Sequence, residues 1–100
     1  MDMQKLMKQA QKMQREMNKA QEKLQEMEVI GEASGGVVKV TATGGNAIKA
    51  IEIDPEIVDP EDVEMLQDLI LVAINDAMAK ANDLANSEMS RVTGGMKMPF

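Results

Sequence analysis

The chain contains no cysteine, no histidine, no tyrosine and no tryptophan. Without cysteine there is neither a disulfide nor thiolate chemistry. Without histidine the commonest metal ligand and the commonest general base are missing, along with every Ser-His or Cys-His nucleophilic arrangement. Phe100 is the one aromatic residue among 100. Stacking platforms for unpaired bases are therefore absent, and the core must be built from Met, Ile, Val, Leu and Ala. Eleven Met make that packing soft and adaptable. So soft a core in a small single domain makes self-association the natural remedy. The longest apolar run, Leu69 to Ile74, is six residues and far too short to span a membrane. The N-terminal stretch MDMQKLMKQAQKMQ is too polar for a signal peptide, so the expected compartment is the cytoplasm.

Positive charge is also scarce overall, yet it is concentrated. The formal net charge is −6. Residues 1–23 nevertheless carry six basic groups against three acidic ones, whereas residues 52–88 carry eleven acidic groups and only Lys80. The six are Lys5, Lys8, Lys12, Arg15, Lys19 and Lys23. At about 100° per residue they fall within roughly 80° of one helix circumference. Successive members are i,i+3 or i,i+4 neighbours, and each such like-charge pair destabilises an isolated helix by about 0.2–0.5 kcal/mol. A helix selected for stability alone would interleave Glu along this edge. Glu16 lies beside it, and Glu22 and Glu26 enter only near its end.

Met3, Leu6, Ala10, Met13, Met17, Ala20, Leu24 and Met27 step 3-4-3-4-3-4-3 along the opposite side. This heptad seam predicts a helix over residues 3–28, about 38 Å long, with no Gly or Pro to interrupt it. Three β segments are expected next, at 29–33, 37–43 and 47–53, joined by Ser34-Gly35-Gly36 and Gly44-Gly45-Asn46. Val38, Val40 and Ala42 alternate cleanly. Ile48, Ile51 and Ile53 do not, which calls for a bulge or for burial on both faces. Val40 and Ile51 are both expected in the core, where an Asp would unfold the chain. Asp59 reads as the N-cap of a second helix with Pro60 in its first turn, running to about residues 91–92 and ending at Gly94-Gly95. Leu66, Ile70, Ala73, Ala77, Ala81 and Leu84 mark its buried face. A loose tail is expected over residues 94–100.

No catalytic residue and no metal site emerge. The acidic stretch 54–64 lacks the spacing of a calcium loop, and the paired glycines have neither dinucleotide-binding nor P-loop spacing. No cofactor, small-molecule substrate or membrane is expected. A polyanion is the natural partner of the basic edge, since Lys and Arg gain free energy by displacing counterions from phosphates. The lack of aromatics favours double-stranded DNA over unpaired strands. A single Arg among the six predicts backbone contacts with weak sequence preference.

The segments "GGVVKVT" and "IEIDP", with the Gln/Met/Lys-rich first helix, "DVEMLQDLILVAINDAMAKA" and the closing "GGMKMPF", make the whole chain resemble the YbaB/EbfC family of bacterial nucleoid-associated proteins. The resemblance implies an α+β subunit ordered α-β-β-β-α, with a three-stranded antiparallel sheet and a long projecting N-terminal helix. It also implies a homodimer whose first helices form tweezer-like arms that hold DNA in the nucleoid. On that view residues 1–28 are the arm, 29–93 the dimerisation core and 94–100 a flexible tail. Splayed arms would leave Met3 to Met13 partly exposed, so a second reading stands beside the first: a protein-interaction clamp or holdase with Met-lined arms.

Overall fold

The structure, a computed structural model, describes residues 2–94, with side chains as far as Val92. Helix α1 (Met3–Glu26) leads into strands β1 (Glu28–Ala33), β2 (Val38–Thr43) and β3 (Ile48–Ile53). A short 3-10 turn (Pro55–Ile57) and helix α2 (Val63–Gly94) complete the chain. The strands form an antiparallel meander in the order β1-β2-β3. This is the expected α-β-β-β-α subunit. The expected tail lies outside the described residues from 95 onward.

Asp2 starts α1 by accepting a hydrogen bond from the Gln4 backbone N–H at 3.1 Å, satisfying one of the donors a helix leaves orphaned. At the other end Met27 is already extended, so the helix passes into β1 with no glycine between them. The start of α2 differs from expectation. Asp59 accepts from Glu61 N–H within a turn, and Asp62 accepts from Met65 N–H at 3.2 Å. The cap is therefore Asp62, and Asp59-Pro60 belongs to the preceding turn. Both Asp-led turns satisfy local donors, which is why spacing alone did not separate them.

Register explains the irregular isoleucines. Val38 pairs with Ile53 and Val40 with Ile51, but a shift between Thr41 and Ala42 brings Ala42 opposite Ile48. The bulge absorbs one residue, so all three isoleucines share the face of Val38, Val40 and Ala42. That face carries the core: Ala33, Val38, Val40 and Ala42 from the sheet, with Ala73 and Ala77 from α2. The small α2 residues allow very close approach. A Cβ on Gly31 would collide with the backbone of Ala73 and Ala77, so glycine is required where helix and strand meet.

α2 packs chiefly on β1 and β2. Ile48 and Ile51 are left 44% and 46% exposed, so Ile51 is not the buried core residue its pattern suggested. The free edge of β1 is closed by α2 side chains. Asp76 accepts from Glu32 N–H at 2.9 Å, and Lys80 donates to the Ile30 carbonyl at 2.8 Å. The backbone hydrogen bond, aided by Lys80, holds the Asp76 carboxyl below its ordinary value.

Only the C-terminal part of α1 joins this body. Ala20 and Leu24 are buried, and Leu24 packs on Gly44, where a Cβ would come within 2.7 Å of the Leu24 side chain. Met13 and Met17 are half-buried, whereas Met3, Leu6 and Met7 are exposed. The molecule measures 71 × 24 × 17 Å with a radius of gyration of 19.6 Å. A compact chain of this length would have about 13 Å. The difference reflects a helix that projects beyond its body.

Candidate nucleic-acid interface

Lys5, Lys8, Lys12, Arg15, Lys19 and Lys23 all lie exposed on α1, a helix fully buried only at Ala20 and Leu24 and half-buried at Met13 and Met17. Among the described residues the first five make no ion pair. Lys23 does: its Nζ lies 3.3 Å from Glu88 Oε1 on α2. The six therefore divide into five cations open to a ligand and one engaged by the fold.

Glu88 also holds Arg91, whose Nη2 lies 2.9 Å from Glu88 Oε2. Arg91 hydrogen bonding, with a further contribution from Lys23, keeps the Glu88 carboxyl below its ordinary value against the opposing effect of burial. Lys12, Lys19, Lys23 and Arg91 converge on a cleft of about 400 Å³ between α1 and the end of α2, together with Glu16, Ala20 and Val92. Arg91 was not anticipated as part of this surface. Its nearest basic neighbour in α2 is Lys80, and the α1 residues it joins are more than sixty positions away, so only tertiary structure brings them together. The one available hint was its isolation as a cation beyond the acidic stretch 52–88.

The arrangement offers fixed positive charge along a helix edge. Among the described residues no cluster of His, Cys, Asp or Glu could hold a metal ion. No described helix is long and apolar enough to cross a membrane. A row of amines and guanidinium groups at helical spacing can neutralise successive phosphates, and it has no aromatic surface on which bases could stack.

The model of the YbaB/EbfC DNA-binding family matches residues 1–96. The chain belongs to the YbaB/EbfC DNA-binding family. It is 57% identical over 95 residues to a nucleoid-associated protein of Ruminiclostridium cellulolyticum, covering 95% of this chain and 83% of that one. It is 55% identical to a nucleoid-associated protein of Pelotomaculum thermopropionicum, covering 98% and 93%. A nucleoid-associated protein of Chloroflexus aurantiacus is 53% identical over the full length of both chains. The crystal structure of an uncharacterized Helicobacter pylori protein shares the fold, with a TM-score of 0.75 at 23% identity over 96% of this chain and 97% of that one. The YbaB/EbfC architecture thus accounts for the long α1, the meander and the long α2 as one unit. DNA binding and nucleoid association are the properties of the family to which the chain belongs.

Proposed function

We propose that the protein is a non-enzymatic, cytoplasmic nucleoid protein that binds double-stranded DNA as a homodimer, using the basic edges of two projecting α1 arms. The observation that carries this reading is the set of five cations, Lys5, Lys8, Lys12, Arg15 and Lys19, exposed on a projecting helix without ion-pair partners among the described residues. Like-charged neighbours destabilise that helix, and phosphates between them would remove the repulsion.

The homodimer is supported by the uncovered part of the sheet. Ile48 and Ile51 stand exposed in line with Ile53, on the same face that α2 covers elsewhere. Leu71 and Val72, on α2, are 57% and 54% exposed. A second copy whose α2 covers this column would complete the layer, and two-fold symmetry would complete its own in return. With two arms, 4–8 of the cations would reach phosphates together. Log affinity against log salt should then fall with a slope of roughly −4 to −7. Fluorescence anisotropy with two unrelated 30-base-pair duplexes across a salt series tests this, and the two should bind within about tenfold of one another. The exposed Met3, Leu6 and Met7 favour the second reading, a clamp for apolar segments. A slope near zero would select that reading instead.

A further inference from the structure

Glu88 is the one buried carboxylate among the described residues, and it pairs with two of the cations, Lys23 and Arg91, that line the cleft between α1 and the end of α2. Each of its oxygens is committed to a different cation: Oε1 to Lys23, on the arm, and Oε2 to Arg91, one turn further along its own helix. Lys23 and Arg91 are themselves half or more exposed, at 50% and 64% of their side-chain surface, and both line the cleft together with Lys12 and Lys19. They are thus placed where a phosphate would meet them, but they share one carboxylate, which offsets one of their two positive charges.

Building on the DNA-binding reading, we propose that Glu88 limits affinity by withholding Lys23 and Arg91 from DNA. A phosphate entering the cleft meets Lys12 and Lys19 as open partners. To draw both Lys23 and Arg91 away, it would have to leave the Glu88 carboxylate, only 11% exposed, with neither partner, which is unfavourable. The same carboxylate also repels an incoming phosphate. The cleft is lined by four cations, and Glu88 together with Glu16 of the lining leaves about two of their charges unopposed. A protein that coats DNA with modest affinity can exchange along it, whereas one using every cation would be held far more tightly.

The test is Glu88→Gln, which keeps the shape and removes the charge. Each additional phosphate neutralised steepens the salt slope by about 0.9, which corresponds to about 8-fold in affinity at 0.1 M relative to 1 M salt. Releasing one or both cations should steepen the slope by about 0.9–1.8 for each arm on the duplex and tighten binding about 8- to 60-fold per arm at 0.1 M salt. Arg91→Gln should cost more affinity in the Glu88→Gln background than in the wild type, because only there does Arg91 reach DNA. An unchanged or shallower slope in a folded Glu88→Gln protein, with equal or weaker binding, would make Glu88 a mere strut between α1 and α2 and overturn the proposal. In the wild-type protein, the Arg91 guanidinium resonances should stay in place when duplex is added. A shift there would overturn the proposal even if the variant failed to fold. Wild-type protein that binds no duplex would sink the DNA-binding reading, and the role of Glu88 with it. Wild-type binding with no gain from Glu88→Gln would sink the role of Glu88 alone.

Discussion

An aspartate at Val40 and an aspartate at Ile51 should have different consequences, although the two residues face each other across β2 and β3. Val40 is fully buried in the core that α2 closes. A carboxylate there has no partner and no water, and the cost of several kcal/mol is a large part of a total stability of about 5–15 kcal/mol. Val40→Asp should therefore unfold the protein. Ile51 is 46% exposed in the single chain. Full burial of an Ile is worth about 1.5–3 kcal/mol, so Ile51→Asp forfeits only about half of that, and the new carboxylate can reach water. If a second copy covers the isoleucine column, two-fold symmetry buries the new charge twice. At about 3 kcal/mol for each uncompensated carboxylate, the pair loses about 6 kcal/mol, more than four decades in Kd. Light scattering on a sizing column at about 10 μM, with circular dichroism on the same samples, reads both effects. Wild type should elute at twice the chain mass of 10.9 kDa. Ile51→Asp should elute as a folded single chain, and Val40→Asp should lose its cooperative transition. An Ile51→Asp protein that stays dimeric would refute the assignment of this face to the interface. A folded Val40→Asp protein would refute the account of the core.

Reversing Lys8, Lys12 and Arg15 to Glu should weaken duplex binding at least about 100-fold at 0.1 M salt while leaving the melting temperature within a few degrees, since exposed changes cost within about 0.5 kcal/mol each and the like-charge ladder is relieved; anisotropy and thermal melts check this. Gly31→Val should lower stability by at least about 3 kcal/mol in urea titrations, because its side chain must push α2 off β1 at Ala73 and Ala77. Glu88 and Asp76 both have carboxyls held below their ordinary values of 4.5 and 3.8. A depressed folded-state pKa adds stability above the unfolded value, and that stability is lost as pH falls through the folded one. Melting temperature should thus be flat between pH 7 and 6 and fall below about pH 4, with the acid loss reduced in Asp76→Asn.

Local signals carried most of the fold. The seam and basic edge of α1, the alternation of Val38, Val40 and Ala42, and the paired glycines at the turns each rest on a few neighbouring residues; α1 and the three strands stand within a residue or two of their expected places, whereas α2 begins three residues later than expected. Three features depend on long-range structure and were harder to read. Ile48, Ile51 and Ile53 made sense only once the bulge set their register against β2. Heptad spacing marked Met3 to Met27 as one seam, but spacing does not say how far a partner surface extends: Ala20 and Leu24 are buried, Met13, Met17 and Met27 half-buried, and Met3 and Leu6 exposed. The pairing of Lys23 with Glu88 spans 65 positions, and no periodicity within α1 distinguishes Lys23 from Lys19.

The same geometry answers why an acidic chain can present a DNA-binding surface. A net charge of −6 acts as a single quantity only if its parts lie within a screening length of each other. α2 meets α1 near its C-terminal end, through Glu88 and Arg91. The acidic residues from Asp54 to Asp68 lie at or before the beginning of α2, and Asp68 is twenty residues from Glu88. At 1.5 Å per residue that is about 30 Å along one helix, three or more screening lengths at physiological ionic strength. On the proposed reading, phosphates approaching the arm would meet the α1 cations, Glu16 and the Glu88 pair, with little influence from the acidic end. On that reading, the length of α2 separates the acidic end from the arm, the projection of α1 would hold DNA clear of the body, and Glu88, the carboxylate paired with both Lys23 and Arg91, would set how many cations the arm can use.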